Sequence, residues 1–258
     1  MTLLQSSKHA GPLSGAYTNQ PKPGGSYALL QQISLFAGMS GEQLACLAPM
    51  LKQRTYQKGE TILYQGEHGD SMFIILSGKV RVYGLSLCGQ EISFELCDGG
   101  EFFGEMALLL GTPRSANVEA LQATEVLVLN RQAFHHYLLS NPPAAVRILE
   151  TLSRRLRRTT ESVGDLSSLG VPQRLARQLV KLAGRYGQEQ ADGVLISLDL
   201  AQEAIASMIG TTRESANRAL SRLREQDIVR IEEGRILITQ PEKLEKLANG
   251  GGGIRYIN

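Results

Sequence analysis

The sequence predicts an α+β protein with a strand-rich N-terminal half and a helical C-terminal half. Between residues 55 and 129, short apolar runs such as 72–76 and 125–129 are separated by glycines. This spacing is typical of a small antiparallel barrel or sandwich. After Pro142-Pro143 the apolar residues recur every three or four positions, which indicates an amphipathic helix. The boundary between the halves therefore lies near this proline pair, which can only open a helix.

The composition excludes several classes of protein. The chain has 258 residues, of which 42% are hydrophobic and 20% charged, so disordered and fibrous classes do not fit. No apolar run approaches the roughly 18 residues of a membrane span, and the N-terminus lacks the pattern of a secretory signal. Three cysteines are too few and odd in number for a disulfide framework. We expect a soluble, cytoplasmic protein with no membrane partner.

Charge is distributed unevenly along the chain. Residues 1–150 carry 10 Lys and Arg against 12 Asp and Glu, whereas residues 151–258 carry 17 against 13. Four arginines fall within 211–224, where Glu214 is the single acid. Phosphates are attracted more strongly by clustered cations than by the net charge of the whole chain. This segment therefore suggests binding to nucleic acid. A solvated helix face is the alternative.

Changes of pattern divide the chain into five segments. Residues 1–26 and 249–258 are rich in glycine and polar residues, and we predict flexible tails there. The segments between them are a β-rich domain at 27–141, a long helix at 142–169 and a small, mostly helical domain at 170–248. Gly170-Val171-Pro172 ends the long helix and predicts a hinge.

The long helix carries a narrow stripe with 3-4-3-4-3 spacing, which is the seam of a two-helix coiled coil. Its members are Leu149, Leu152, Leu156, Thr159, Val163 and Leu166. The stripe predicts a homodimer through 142–169, and packing of the helix on its own domain is the alternative. Thr159 is polar and Thr160 follows it, so these hydroxyls need a partner: each other, water or a ligand.

Residues 202–220 predict a helix-turn-helix. Gly210 allows a three- to four-residue turn, and Thr212 can cap the second helix. Arginine can contact guanine and glutamate can accept from cytosine in the major groove, while hydroxyls near the helix start suit phosphates. The predicted DNA-binding residues are Gln202, Thr212, Arg213, Glu214, Ser215, Asn217 and Arg218. A hairpin predicted at 228–238 would add a wing to the motif. The alternative to DNA binding is that the two helices simply pack on another part of the protein.

Residues 103–116 predict a site for a sugar that carries a phosphate. Gly104 precedes a one-turn helix whose free amides can hold an anion. Glu105 can accept two hydroxyl hydrogens, which suits a ribose. Nine residues later Arg114 offers a forked cation and Ser115 a hydroxyl. A surface ion pair between Glu105 and Arg114 is the alternative, and it would stabilise little.

These motifs, in this order along residues 27–240, closely resemble the CRP/FNR family of bacterial regulators, which includes the cyclic-AMP receptor and fumarate–nitrate regulators. The resemblance implies an N-terminal antiparallel β-roll (jelly-roll-like) that binds a cyclic nucleotide, a dimerisation helix and a winged helix-turn-helix. It also implies double-stranded DNA, a second copy of the chain and RNA polymerase as partners. Arg213, Glu214 and Arg218 match the family's recognition triad, which reads a G-T-G-A half-site.

The resemblance also implies roles for the effector-site residues. Residues 103–115 look like the family's phosphate-binding cassette, with Glu105 on the ribose and Arg114 and Ser115 on the cyclic phosphate. A Thr followed by Thr or Ser on the dimer helix contacts adenine in cyclic-AMP-responsive members. The implied cyclic-nucleotide residues are Gly104, Glu105, Met106, Ala107, Arg114, Ser115, Thr159 and Thr160.

Two features depart from the family pattern. The first helix of the motif usually opens with Thr and has Glu at its fourth position, where this chain has Ala201 and Ala204. One cap and one phosphate contact are therefore expected to be missing. The cysteine cluster of iron–sulfur members is absent, and we predict that Cys46, Cys88 and Cys97 are packing residues.

We therefore expect a homodimeric transcription regulator that binds a palindromic G-T-G-A site under the control of cyclic AMP. Cyclic GMP, another small molecule or no effector at all remain open. An enzyme built on a cupin-like barrel would need clustered His and carboxylate ligands, and residues 55–130 show none. No catalytic residue, metal or cofactor is expected.

Overall fold

The computed structural model describes residues 16–17, 33–37 and 39–250. The described chain divides into two compact units. The first comprises the residues up to Val82 together with Glu95–Ile148, and the second comprises Tyr83–Phe94 together with the residues from Leu149 onward. This division falls inside the long helix that the sequence predicts at 142–169. It lies there because packing groups the C-terminal part of this helix with the residues that follow.

The two tail predictions fall mostly outside the described residues. Within 1–26, only Ala16 and Tyr17 are described, and they pair antiparallel with Thr55 and Arg54. These two residues thus belong to a strand, which corrects the prediction of a tail at that point. At the other end, Asn249 closes a helix and Gly250 follows it.

In the N-terminal part of the chain that the structure describes, nine strands form two sheets. The first sheet has the order β1-β2-β9-β4-β7 and the second the order β3-β8-β5-β6. Their bounds are β1 (Ala16–Tyr17), β2 (Leu51–Tyr56), β3 (Thr61–Leu63), β4 (Ser71–Ser77), β5 (Lys79–Leu85), β6 (Glu91–Asp98), β7 (Phe102–Phe103), β8 (Asn117–Ala120) and β9 (Thr124–Asn130). The strand pairs β1–β2, β2–β9, β3–β8, β4–β7 and β4–β9 are all antiparallel, and the β-roll architecture is confirmed.

The core of the first unit lies between these sheets. Side chains of both sheets meet in it because alternate residues of each strand point inward. Its buried members are Tyr56, Ile62, Leu63, Phe73, Ile75, Val80, Cys97, Phe103, Val118, Ala120 and Val126. Cys97 is thus a packing residue as predicted, whereas Cys46 and Cys88 are exposed. For those two the prediction was wrong, since Cys46 lies on the exposed face of a short helix and Cys88 in the turn between β5 and β6.

Among the described residues, the helices that lie wholly in the first unit are α1 (Gly41–Leu47), α2 (Glu105–Leu110) and α3 (Arg131–Ser140), with 3-10 turns at Ser34–Phe36 and Ala48–Met50. A capping box of Ser40 and Gln43 starts α1, and the Asn130 side chain accepts from the Ala133 amide to start α3. These side chains satisfy backbone donors that a helix start leaves unpaired. The local sequence therefore determines where α1 and α3 begin.

The long helix α4 spans Pro142–Ser168. The second unit continues with α5 (Val171–Tyr186), α6 (Gln202–Met208), α7 (Arg213–Glu225) and α8 (Pro241–Asn249). A third sheet, in the order β10-β11-β13-β12, consists of β10 (Gly187–Gln190), β11 (Gly193–Ile196), β12 (Val229–Glu232) and β13 (Arg235–Ile238). The β12–β13 hairpin is the predicted wing. Across the described ranges, no helix is both long and apolar enough to cross a membrane.

Candidate functional site

Arg114 lies at the centre of the predicted anion site in the first unit. Its side chain is 6% exposed, and its Nη1 donates to the carbonyl oxygen of Gly104 at 2.7 Å. The guanidinium carbon lies 5.8 Å from the ring centroid of Phe73, which itself stacks on Phe103 at 5.1 Å. The cation is therefore held over a rigid aromatic pair and fixed by a backbone acceptor.

Backbone bonds and nearby carboxylates also define the position of Arg114. Its amide donates to the Glu67 carbonyl and its carbonyl accepts from the Gly66 amide, each at 2.8 Å. Burial lowers the pKa of Arg114, and the charges of Asp70, Glu105 and Glu67 oppose this shift. The pKa of an arginine side chain lies so far above neutral pH that Arg114 stays protonated. The site therefore presents a largely desolvated positive charge.

Helix α2 brings Glu105 to the same place. Gly104 precedes the helix with φ +79°, a left-handed conformation that glycine adopts without strain. Glu105 follows directly and is 4% exposed. Because Glu105 and Arg114 are both buried, the alternative of a surface ion pair does not describe them. A carboxylate and a guanidinium placed together in this way can receive hydroxyls and an anion.

The remaining cassette residues are less enclosed. Ser115 and Met106 are exposed, and the Ser115 hydroxyl lies 3.6 Å from the Met106 sulfur. Ala107 is buried, and its carbonyl accepts from Arg131 Nη2 at 3.1 Å. The structure thus groups Gly104, Glu105 and Arg114 tightly and leaves Ser115 at the rim.

Gly69 is a site residue that the sequence analysis missed. A Cβ atom built there would lie 2.6 Å from Arg114 Nε and 2.8 Å from the Ala107 Cβ. Only glycine therefore lets this loop pack against the guanidinium. The sequence signal that could have indicated this residue is the glycine-containing run Gly66-Glu67-His68-Gly69. Only the fold shows which of the two glycines lies against the Arg114 side chain.

Gly69→Ala is expected to lower the free energy of unfolding by about 1–3 kcal/mol, because the added methyl group overpacks a buried contact. Urea denaturation measures the change. The matched control is Gly41→Ala, since a Cβ at Gly41 meets nothing within 4 Å and alanine favours the helix. Equal stability of the two variants would show that the Gly69 contact is not tight in solution.

Thr159 and Thr160 lie in the second unit, exposed on α4. The Thr159 hydroxyl donates to the Arg155 carbonyl at 3.1 Å, and the Thr160 hydroxyl donates to the Leu156 carbonyl at 3.0 Å. Carbonyl groups of the helix backbone thus already accept from both hydroxyls. This partner differs from the three that the sequence analysis named, which were each other, water or a ligand. Their oxygens can still accept a hydrogen bond.

The predicted stripe of α4 is largely exposed in the single chain. Leu149, Leu156 and Val163 are 63%, 68% and 61% exposed, and they lie on one face of the helix because their spacing is seven residues. Leu166, at the end of the stripe, is 47% exposed. Its Cδ2 would lie 2.6 Å from a Cβ at Gly210. Most of this apolar face therefore has no cover within the second unit.

The helix-turn-helix forms with its turn at Gly210, which has φ +59°. The small and apolar residues between its helices are buried, namely Ala204, Ile205, Ala206, Ile209, Ala216, Ala219 and Leu220. Arg174, which the sequence analysis missed, donates from Nε to the Ile209 carbonyl and from Nη1 to the Leu169 carbonyl, both at 2.8 Å. It thus joins the turn of the motif to the predicted hinge segment. Nothing in the local sequence marks it, since it is one of many arginines.

Thr212 caps α7 as predicted, because its hydroxyl oxygen accepts from the Ser215 amide at 3.3 Å. Arg218 is exposed, and its Nη2 donates to the Ser215 hydroxyl at 3.1 Å. Glu214 is exposed at the helix start, where hydrogen bonds from its own backbone amide and from Thr212 lower its pKa. It therefore stays a charged acceptor at neutral pH, as contact with a cytosine amino group requires.

Gln202 and Asn217 meet across the motif, with Asn217 Nδ2 donating to Gln202 Oε1 at 2.9 Å. In α6 the N-cap residue is Ala201, which makes no side-chain cap hydrogen bond. The predicted loss of that cap is therefore seen. The predicted DNA-binding side chains lie on one motif, at the first residue of α6 and at the N-cap and first two turns of α7.

Two protein-family models match this chain, one after the other along the sequence. The cyclic nucleotide-binding domain matches residues 53–141, and the Crp-like helix-turn-helix domain matches residues 173–247. The first contains Glu105 and Arg114, and the second contains the whole helix-turn-helix.

Full-length relatives match as well. The chain is 33% identical over 216 residues to the cyclic AMP receptor protein of Thermus thermophilus, covering 84% of this chain and 97% of that protein. It is 30% identical over 220 residues to a CRP-like cAMP-activated global transcriptional regulator of Mycobacterium tuberculosis, covering 85% and 98%.

The fold is also similar to that of the c-di-GMP-responsive regulator CLP of Xanthomonas campestris. The TM-score is 0.69 at 22% identity, and the match covers 77% of this chain and 99% of that chain. With two domain matches in the family's order and relatives matched over nearly their full length, this chain belongs to the CRP/FNR family of DNA-binding transcription regulators that carry a cyclic nucleotide-binding domain.

Proposed function

We propose that this protein is a homodimeric transcription regulator that binds a palindromic G-T-G-A site under the control of cyclic AMP. The observation that carries the effector assignment is the burial of Glu105 and Arg114 beside the start of α2. Burying two opposite charges costs free energy unless both are paired or used. A ribose and a cyclic phosphate are groups that this carboxylate and this guanidinium can bind.

In this proposal each effector-site residue has one role. Glu105 accepts from the ribose 2′-hydroxyl, and Arg114 with Ser115 holds the cyclic phosphate. Gly104, Met106 and Ala107 present the backbone of α2 to the phosphate. Thr159 and Thr160 contact the adenine, and their oxygens are suited to this because each can still accept a hydrogen bond.

The proposed homodimer rests on the exposed stripe of α4. Monomers rarely leave a contiguous apolar face in water, and the seven-residue spacing of Leu149, Leu156 and Val163 is that of a helix seam. Two recognition helices would then read half-sites one DNA turn, about 34 Å, apart. The effector controls this arrangement only if it binds two states of the hinge near Gly170 with different affinity.

The proposed setting is a regulator that acts on double-stranded DNA in the cytoplasm, with RNA polymerase as a further partner. The relatives matched in sequence are transcription regulators, which supports a regulator and not an enzyme.

The effector is tested by fluorescence anisotropy with a labelled palindromic G-T-G-A duplex at a stated salt concentration. We expect operator affinity to rise at least 10-fold on adding cyclic AMP. Cyclic GMP and cyclic di-GMP are the comparison ligands, the latter because the similar CLP regulator responds to it. Affinity that does not change with any ligand would contradict effector control while leaving DNA binding intact.

Arg218→Ala is expected to weaken binding to the G-T-G-A site by about 1–3 kcal/mol and to relax one base position, since a bidentate arginine–guanine contact is lost. A selection experiment on randomised half-sites reads both effects. Arg224→Ala is the control, because it removes the same charge from an exposed position at the other end of α7. An unaltered sequence preference in Arg218→Ala would contradict the assigned role.

A further inference from the structure

Two side-chain pairs join the helices of the helix-turn-helix at the surface that carries its DNA-binding residues. One is the pair of Gln202 and Asn217. The other is ionic: Glu203 Oε1 lies 2.6 Å from Arg213 Nη1. Glu203 and Arg213 are 55% and 57% exposed, and each lies in the first turn of its helix. Glu203 is not among the residues that the sequence analysis assigned to DNA.

The position of Glu203 is unfavourable for DNA binding on charge alone. A duplex presents a row of phosphates, and a carboxylate at the interface repels them. The pair also contributes little to folding, because an exposed ion pair is typically worth below about 1 kcal/mol. A contribution to folding stability therefore does not explain this contact. The effect of Glu203 on the charge and orientation of Arg213 is the other role that the contact can have.

The geometry leaves Arg213 able to read a base. A guanidinium has five N–H donors in a fixed fork, and the 2.6 Å contact joins Glu203 to Nη1. Nε and Nη2 remain for the two acceptors of guanine. A phosphate, in contrast, attracts the whole charge of Arg213, and the carboxylate beside it cancels most of that charge.

We propose that Glu203 is a specificity-determining residue, which orients Arg213 for a base and cancels its charge toward phosphates. Specificity is a ratio of affinities, and an element that weakens the wrong complex raises it. The inference rests on the proposed DNA-binding function of this motif. It extends that function by a residue whose role is to disfavour random DNA.

The first test compares Glu203→Gln with the wild type on a random duplex and on the G-T-G-A duplex. We expect affinity for the random duplex to rise about 3- to 10-fold, with a smaller rise for the specific duplex. The slope of log K against log[salt] for the random duplex should steepen by about 0.9, the contribution of one more phosphate contact. Glu242→Gln, an exposed change of equal charge on α8, is the control and should change neither quantity.

The second test asks whether the effect passes through Arg213. In the Arg213→Ala background, Glu203→Gln is expected to give less than half of the gain on the random duplex, since the charge that Glu203 masks is gone and only its direct repulsion of phosphates is relieved. Glu203→Asp keeps the carboxylate and should behave as the wild type. Circular dichroism and thermal unfolding check that every variant is folded.

Two results would overturn the proposal. One is that Glu203→Gln and Glu242→Gln bind the random duplex alike. The other is that the gain persists at full size in the Arg213→Ala background, which would show general repulsion of phosphates. If the wild type instead shows no preference for G-T-G-A over random DNA, the proposed function fails, and the coupling between Glu203 and Arg213 is still decided on the random duplex.

Discussion

Arg114→Ala is expected to lower cyclic-AMP affinity at least about 100-fold. Hydrogen bonds to a charged group are each worth about 1.5–3 kcal/mol, and the fork of Arg114 offers two to a phosphate. The loss should be larger than for an exposed arginine, because Arg114 is 6% exposed and a desolvated charge interacts more strongly with an anion. Isothermal titration calorimetry with cyclic AMP measures the change directly.

The same substitution leaves the Gly104 carbonyl without the donor that it has at 2.7 Å. We expect this to lower the free energy of unfolding by about 1–3 kcal/mol, so the variant should stay folded. Arg114→Lys separates charge from shape, because a lysine cannot reproduce the fork and should recover only part of the affinity. Lys52→Ala, at an exposed position of β2, is the control. Unchanged cyclic-AMP affinity in a folded Arg114→Ala protein would contradict the proposed site.

Leu156→Glu is expected to convert the protein to monomers and to lower its affinity for the full palindrome by about 10²–10⁴. Leu156 is the most exposed apolar residue of the stripe, at 68%. In a two-helix seam the variant would place two carboxylates against each other in an apolar contact, where unpaired charges are costly. A monomer binds one half-site at a time and loses the gain of linked binding.

Sedimentation velocity measures the oligomeric state, and anisotropy compares the palindrome with a single half-site. Leu139→Glu is the matched control, because Leu139 is 83% exposed on α3, outside the stripe. We expect Leu139→Glu to behave as the wild type in both measurements. If the wild type itself sediments as a monomer at micromolar concentration, the proposed homodimer is wrong.

Each of the main elements was predictable because its signal is local. The glycine-punctuated strands, the 3-4 spacing of α4 and the sequence around Gly210 each lie within one short segment. Steric restrictions between neighbouring residues and the periodicity of apolar side chains favour such elements before any long-range contact forms. The cassette and the helix-turn-helix are contiguous motifs of this kind.

Other elements escaped prediction because packing overrides local preference. Strand β10 (Gly187–Gln190) is polar and exposed at each of its residues. It forms because β11 pairs with it on one side and with β13 on the other. Strand propensity depends on such context. Helix α8 packs on α5, and its start at Pro241 has no side-chain cap hydrogen bond.

The sequence by itself determined the order of the domains and the residue types of both sites, because periodicity and motif spacing are properties of neighbouring residues. Only the tertiary structure decided that Arg114 is buried against Gly69 and that Glu203 faces Arg213. These pairs lie 45 and 10 residues apart, and burial and charge pairing over such separations exist only after the chain has folded.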